Sequence, residues 1–352
     1  MELHQKWLSY TENVKMKILI TILLTLSSVT YAQVMKREAN GVYIGTYNIY
    51  TFGKHGNTQV FNAAKVLSSG DFDLVAIQEV MGAKGEESVS LLTKYLKDSF
   101  NLNYSSIVST DLGQGLGGQE RIAFLYKPDV LKSVNYQGKP FQIVQVSGDG
   151  RDFAFTRWSK GNFDFVLGSG HLFYGDSKEK DSTLARRTRE LKQVYSFFKD
   201  PKKQFGDEDL IFVGDFNRAA LVPDFKNVSY DTTKYFIPNI EFFDPALNKI
   251  AQVKAIDIQG KGVPNDNPKC ISSTVAKGNT YVYDMIICSS SLLDNYGAKR
   301  AGGKFNTNFG VISYDMIGGI GTILDATKQS SQTKLKNAYS DHRPVWVRLT
   351  IQ

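Results

Sequence analysis

The sequence predicts a single α/β domain. Strand-like apolar runs and segments of helical spacing interleave from residue 42 to residue 350 with no break in composition. The 352 residues, 42% hydrophobic and 22% charged, are enough to bury a core and exclude a disordered chain. Six of the runs also carry an acid, an amide or a histidine at one end. They are Ile44-Gly45-Thr46-Tyr47-Asn48, Leu74 to Glu79, Phe165 to His171, Leu210 to Asn217, Tyr281 to Asp284 and Ser340 to Val345. Polar groups on strand ends can meet at the rim of a sheet. Oxygen donors with two histidines at such a rim describe a metal-assisted site for cutting phosphate esters.

Taken in order, the chain opens on a targeting signal. Lys15 and Lys17 flank Met16, Ile18 to Leu26 is apolar, and Ser27 to Ala32 is small and polar. The apolar run is too short to span a bilayer. The expectation is a secreted or periplasmic protein cut near Ala32, with Met16 as an alternative start. Residues 33–352 then form the domain. Val42 to Tyr50 alternates as a strand toward a turn at Phe52-Gly53. Gln59 to Leu67 is helical and stops at Ser68-Ser69-Gly70. Leu74 to Val80 is a buried strand, and Ser88 to Phe100 a helix with Val89, Leu92, Tyr95 and Leu96 on one face. Gly113 to Gly118 is a flexible turn, because no Lys-Ser/Thr follows to make it a phosphate loop.

Ile122 to Tyr126 is the next strand, and Phe153 to Trp158 pairs with Phe163 to Gly168 around Lys160-Gly161-Asn162. Ser182 to Phe198 is an amphipathic helix with Ser182 as its N-cap and Arg186, Arg187 and Arg189 on a solvated face. Leu210 to Val213, Tyr281 to Cys288 and Val345 to Thr350 complete the strands. Residues 221–279 and 295–335 are irregular and read as long surface insertions.

The net charge is +7, and removing 1–32, with three lysines and two acids, leaves +6. That balance favours polyanionic partners such as nucleic acid or acidic membrane surfaces. Cys270 and Cys288 fit either a disulfide or a buried thiol at Cys288. Asn103-Tyr104-Ser105 and Asn227-Val228-Ser229 are glycosylation sequons.

Beyond residue 32 the histidines are His55, His171 and His342. His55 lies in a polar loop. His171 and His342 sit at strand ends among acids and amides, where a histidine can move protons near neutral pH. Glu79 closes an apolar strand, so its charge needs either a salt-bridge partner or a cation such as Mg²⁺, Mn²⁺ or Ca²⁺. Asp215 and Asn217 face one way on an extended strand, suited to a metal and a phosphate, or else form an Asx-turn.

The ordered set of motifs adds a family resemblance. Asn48-Ile49-Tyr50-Thr51-Phe52-Gly53, Gln78-Glu79-Val80, Glu120-Arg121, Gly214-Asp215-Phe216-Asn217, Tyr283-Asp284 and Ser340-Asp341-His342-Arg343-Pro344-Val345 occur in order across residues 42–350. Together they resemble the endonuclease/exonuclease/phosphatase superfamily, most closely its deoxyribonuclease I branch. The resemblance implies a four-layered α-β-β-α sandwich, two mainly antiparallel sheets flanked by helices. It implies a Mg²⁺ or Mn²⁺ ion on Glu79 with Asn48 and Asp341, and Ca²⁺ as a further structural or activating ion. His171 backed by Glu120 and His342 backed by Asp284 would be the acid/base groups. Asp215 and Asn217 would position the phosphate, with Arg151 and Tyr50 as further phosphate or substrate contacts. The implied activity is low-specificity hydrolysis of DNA to 5′-phosphate products by a monomer.

Tyr50 and Met81 stand where that branch carries arginines that contact the duplex, and Arg218-Ala219-Ala220 replaces its cysteine after Asp-Phe-Asn. Two other readings accompany this one. The first is a sphingomyelinase-like lipid phosphodiesterase or a phosphatase, with Tyr235-Phe236-Ile237 or Phe242-Phe243 as its apolar contact. The second is a non-catalytic binding module.

Overall fold

Hydrophobic alternation along the strands builds three apolar layers. On β1 (Gly41–Phe52), Val42 and Ile44 face one way and Tyr43, Tyr47 and Ile49 the other. The same split recurs on β2 (Leu74–Met81), with Leu74 and Ala76 opposed to Val75 and Ile77. On β9 (Leu210–Asp215), Ile211 and Val213 oppose Leu210 and Phe212. One set of faces fills the space between two sheets. The other two sets pack against helices. Period-two burial on both faces of both sheets requires cover on the outside, and the helices supply it.

The computed structural model describes residues 37, 39–112, 119–146, 150–174, 181–217, 240–243, 283–289, 291–292, 309–311 and 336–351. The first sheet has the order β12-β13-β1-β2-β4-β3, where β3 is Ser105–Val108, β4 Glu120–Tyr126, β12 Phe309–Val311 and β13 Val345–Thr350. The second has the order β10-β11-β9-β8-β7-β5. Here β5 is Lys132–Val134, β7 Phe153–Lys160, β8 Phe163–His171, β10 Ile240–Phe243 and β11 Asp284–Ser289. A further strand, β6 (Gln142–Val144), also pairs with β7. Each sheet is mixed, with one parallel pair, β1/β2 in the first and β8/β9 in the second, among antiparallel neighbours. Helices α1 (Gly56–Gly70) and α2 (Gly82–Phe100) cover the first sheet, placing Val60, Leu67, Val89, Leu92 and Leu96 against it. Helices α3 (Asp181–Phe197) and α4 (Pro201–Phe205) cover the second through Leu191, Val194, Phe197 and Phe205. The four-layered α-β-β-α sandwich is therefore present.

Several elements differ from the sequence expectation. Helix α1 runs three residues further at each end than the expected 59–67, and Asp71 stops it with φ +43 and its N–H on Leu67 O. Helix α2 begins at Gly82, directly after β2, rather than at Ser88. Strands β3, β5 and β6 and helix α4 are too short for a periodic signal. Ser182 lies inside α3, which begins at Asp181, and is not its cap. Arg187 is buried, 2% exposed, so the expected solvated arginine face holds only for Arg189. The two predicted insertions contribute edge strands: β10 falls in 221–279 and β12 in 295–335. Phe242 and Phe243 belong to β10, paired with Ile287 and Ile286. Cys288 is buried between the sheets. The signal segment 1–32, the Gly113–Gly118 turn, Asn227, Tyr235-Phe236-Ile237 and Cys270 lie outside the described residues. Among the described residues no helix is long and apolar enough to cross a membrane.

Candidate active site

The face between the sheets changes from apolar to polar toward one end of every central strand. On β1 the series Val42, Ile44 gives way to Thr46 and Asn48. On β8, Phe163, Phe165 and Leu167 lead to Ser169 and His171, and on β9 Ile211 and Val213 lead to Asp215. Strands β4 and β11 run the other way, so their polar residues come first, at Glu120 and Asp284. Register then sets neighbours. Asp215 pairs with His171 on one side and with Asp284 on the other. Just beneath this rim, Thr46 donates to Gln78, which donates to Ser169 across the sheets, at 3.1 and 2.9 Å. These buried polar groups are paired, as their burial requires.

Glu79 breaks the alternation. With Val75 and Ile77 it would face the helices. Its φ of +58 and a register shift between Ile77 and Val80 turn it. It accepts hydrogen bonds from Asn48 Nδ2 at 3.0 Å and Thr51 N at 2.8 Å. Thr51 and Asn217 also have positive φ, +41 and +54. Non-glycine residues in this region cost about 1–3 kcal/mol each and persist only where the surroundings fix them, which suits a functional rim.

Both histidines are buried at 7% exposure. His171 Nδ1 donates to Glu120 Oε1 at 2.6 Å, and His342 Nδ1 to Asp284 Oδ2 at 2.8 Å. A carboxylate acceptor at Nδ1 fixes each tautomer and leaves Nε2 for chemistry. The two Nε2 atoms lie 3.6 and 3.4 Å from one atom, Asp215 Oδ2. Asn48 Nδ2 donates to that same oxygen at 2.9 Å, joining the Glu79 side of the site to the histidine pair. Asp215 Oδ1 accepts from Asn217 N at 2.7 Å, the expected Asx-turn, while Asn217 Nδ2 holds Leu172 O at 2.7 Å. The carboxylate and the amide thus cap neighbouring strand ends.

Of the predicted site residues, the structure brings Asn48, Glu79, Glu120, His171, Asp215, Asn217, Asp284 and His342 into one group. Hydrogen bonds join Glu79, Asn48, Asp215 and Asn217 and each His–carboxylate pair, and ion-pair contacts link the pairs to Asp215. Asp341 adjoins it, its Oδ1 3.9 Å from His342 Nε2. Tyr50 lies at its edge, its ring stacked on His55 at 5.6 Å between centroids. His55 is therefore part of the rim, its Nε2 2.8 Å from Thr51 Oγ1, and not a remote surface group. Arg151 is placed differently from the expected phosphate contact. It is buried, and its Nη1 donates to the carbonyls of His171 and Leu172 at 3.1 and 3.3 Å, 3.7 Å from Glu120 Oε2. That placement positions the His171 strand end.

Two supporting residues escaped the sequence reading. Ser340 Oγ donates to Asn48 O and accepts from the N–H of Tyr50 and His342, at 2.7, 3.3 and 3.0 Å. A serine two residues before a histidine is a recognisable turn signal. Glu190, fully buried on α3, accepts from Arg151 N at 2.8 Å and Phe173 N at 2.6 Å. Its spacing of three from Arg187 and four from Val194 put it on the apolar face, where a charge needs partners.

No protein-family model matches the chain. Its sequence is 24% identical over 342 residues to deoxyribonuclease-1 of Oryctolagus cuniculus, covering 94% of this chain and 98% of that protein. An endonuclease/exonuclease/phosphatase family protein from Bacteroides thetaiotaomicron superposes with a TM-score of 0.53 at 16% identity, covering 90% of this chain and 100% of its own. The fold is that of the endonuclease/exonuclease/phosphatase proteins. A mannosyl-6-phosphatase from the same bacterium shares it at TM-score 0.53 and 14% identity, covering 88% and 100% of the two chains. So does D. rerio TDP2 complexed with a single-strand DNA product, at 0.51 and 14%, covering 88% and 99%.

Within this fold the charges are strongly coupled. Burial pulls the His342 pKa down, but the charges of Asp284 and Asp215, the hydrogen bond to Asp284 and the charge of Asp341 raise it well above its ordinary 6.5. For His171, burial and Arg151 lower the pKa while Glu120 and Asp215 raise it, and the net shift is upward. Burial raises the Glu120 pKa, but His171 and Arg151 hold it below the usual carboxylate value. These shifts have a stability consequence for the metal-free protein. The histidine contribution is complete below their unfolded pKa and is lost as pH rises through the raised folded value. The Glu120 contribution is complete above the ordinary carboxylate pKa and is lost as pH falls through the lowered one. Thermal unfolding in EDTA is expected to give a dome of Tm against pH. Asp284→Asn should flatten its alkaline limb, and an unchanged limb would refute the assignment.

Proposed function

We propose that this chain is an exported, divalent-metal-dependent phosphodiesterase that hydrolyses nucleic acid, with DNA as the preferred substrate. The observation that carries the reading is the pair of carboxylate-backed histidines whose Nε2 atoms flank Asp215 Oδ2. Similarity to a deoxyribonuclease along nearly the whole of both chains favours DNA. The ordered charged, apolar and small-residue segments before residue 33 support export.

The donor set suits a hard cation. Asn48 Nδ2 lies between two carboxylates, which fixes the amide orientation and leaves Oδ1 as a buried oxygen with no hydrogen-bond partner. Asp341 Oδ1 is likewise buried with no hydrogen-bond partner. Among the described residues no three His, Cys, Asp or Glu side chains form a complete metal cluster. Glu79, Asn48 and Asp341 would hold Mg²⁺ or Mn²⁺, with water and substrate oxygens completing the shell. Such an ion would neutralise charge developing on the phosphate. Ca²⁺ is a further candidate ion, and the protein acts as a monomer.

The chain's own residues supply the proton transfers. One histidine takes a proton from the attacking water, and the other gives a proton to the departing 3′ oxygen. Glu120 and Asp284 stabilise whichever imidazolium forms. Asp215 and Asn217 orient the water and the phosphate between them. The product keeps the 5′ phosphate.

Glu79→Gln removes the charge that holds a cation, and its one amide oxygen can accept only one of the two hydrogen bonds now received from Asn48 Nδ2 and Thr51 N. The expected result is loss of Mg²⁺-dependent nicking, with a Tm lowered by the one lost hydrogen bond. Full activity at ordinary Mg²⁺ concentration would exclude Glu79 as the metal ligand. The wider test assays the purified protein with Mg²⁺, Mn²⁺, Ca²⁺ or EDTA against plasmid, single-stranded DNA, RNA, sphingomyelin and a sugar phosphate. Plasmid nicking abolished by EDTA is expected. Turnover of sphingomyelin or the sugar phosphate without cleavage of nucleic acid would replace this reading with the lipid phosphodiesterase or phosphatase one, and no turnover at all with the binding module.

A further inference from the structure

Lys336 lies at the mouth of the site and belongs to none of the roles above. It lies in a helical turn, described over residues 336–338, that leads into Ser340-Asp341-His342. Its Nζ is 2.5 Å from Asp341 Oδ2 and 3.6 Å from the centroid of the Tyr50 ring. The opposition of a carboxylate and a ring face fixes the ammonium in place. Asp341 in turn reaches His342 Nε2 at 3.9 Å, so one carboxylate separates Lys336 from an acid/base group. The lysine side chain keeps 34% exposure and is open to solvent. A lysine has three N–H donors. Asp341 and the Tyr50 ring engage two of them.

The charge inventory of the rim gives this ammonium a task. Glu79, Glu120, Asp215, Asp284 and Asp341 all gather there. A phosphodiester anion approaching five carboxylates is repelled unless fixed cations offset them. Arg151 is buried behind His171 with its guanidinium on backbone carbonyls. Tyr50 brings no charge of its own. Lys336 places a cation on the face of that ring from a distant part of the chain.

We propose that Lys336 is a phosphate-binding residue, whose ammonium, preset by Asp341 and Tyr50, receives a backbone phosphate of the substrate strand. This rests on the nucleic-acid reading of the site. A plain structural role, in which Lys336 only neutralises Asp341, makes different predictions and the experiment separates the two.

The experiment compares Lys336→Met, which keeps length and loses charge, with Lys336→Arg, which keeps charge. Steady-state cleavage of DNA with Mg²⁺ is measured across a salt series. Binding of a short single-stranded oligonucleotide is measured in a His342→Ala background, where cleavage is slow. Lys336→Met is expected to raise KM and weaken oligonucleotide binding about tenfold. It should also reduce the slope of log Kd against log salt by about one, the signature of one lost phosphate contact. Lys336→Arg should restore most of the affinity. Unaltered KM, oligonucleotide affinity and salt slope in Lys336→Met would overturn the proposal, with or without a change in the Mg²⁺ dependence. If the wild-type protein cuts no nucleic acid, the functional reading fails instead. Oligonucleotide binding still reports on Lys336 in that event.

Discussion

His171→Ala and His342→Ala are each expected to lower the rate of plasmid cleavage about a hundredfold to ten-thousandfold, the range for loss of a positioned acid or base. The expectation rests on geometry. Each imidazole is held at Nδ1 by its own buried carboxylate, and the two Nε2 atoms approach one oxygen of Asp215 from either side. An in-line displacement needs a proton taken on one side of the phosphorus and one given on the other, and two imidazoles with Nδ1 held and Nε2 left for chemistry can supply the two roles. Since the pair acts as a unit, the double variant should be little worse than either single one. Circular dichroism and Tm near wild type would show that chemistry, and not folding, was lost. Wild-type cleavage in either single variant would remove that histidine from the mechanism.

Gly214→Ala is expected to prevent folding. Gly214 sits on β9 directly before Asp215 with φ +144, a conformation that residues with a Cβ rarely adopt. A Cβ there would stand 1.9 Å from the carbonyl oxygen of Gly170, the residue paired with it across the parallel β8/β9 ladder. Neither strand can retreat. Phe153 and Phe212 close on Gly170 from the helix side, and His171 and Asp215 are fixed to their partners on the other. Strain at special backbone geometry combined with overpacking belongs to the small class of single changes costing more than about 4 kcal/mol. The expected result is insoluble protein or loss of the cooperative unfolding transition. A soluble variant with wild-type Tm would show that the close approach of the two strands is not required.

Several features were legible because they depend on local pattern. Strand alternation placed β2 and β13 to within one residue, and β1, β8 and β9 to within about three residues at their ends. The two-residue turn Gly161-Asn162 followed from the hairpin signal, with Lys160 opposite Phe163. The strand-end acids and histidines stood out because a charge closing an apolar run always needs a partner. Short strands such as β5 and β6 and the edge strands β10 and β12 were not legible. A three- or four-residue strand is defined by the neighbour it pairs with, and its own sequence carries too few periods to register. Arg187 and Glu190 were misjudged or missed for a related reason. Charged residues suggest solvent until the α3 face they occupy is seen packed against the sheet.

The strand ends show where sequence and tertiary structure divide the work. The sequence determined that polar groups terminate the central strands, because alternation within a strand is a one-dimensional property. Which groups meet is a matter of register and of backbone departures from the ideal strand, and only the packed sheets decide it. Pairing of β9 with β8 and β11 put Asp215 between His171 and Asp284. A bulge with φ +58 turned Glu79 away from the helices and toward Asn48. The approach of the turn at Lys336 to Tyr50, 286 positions away in the chain, left no periodic trace in either segment, because a contact between distant loops imposes no pattern on the residues that make it.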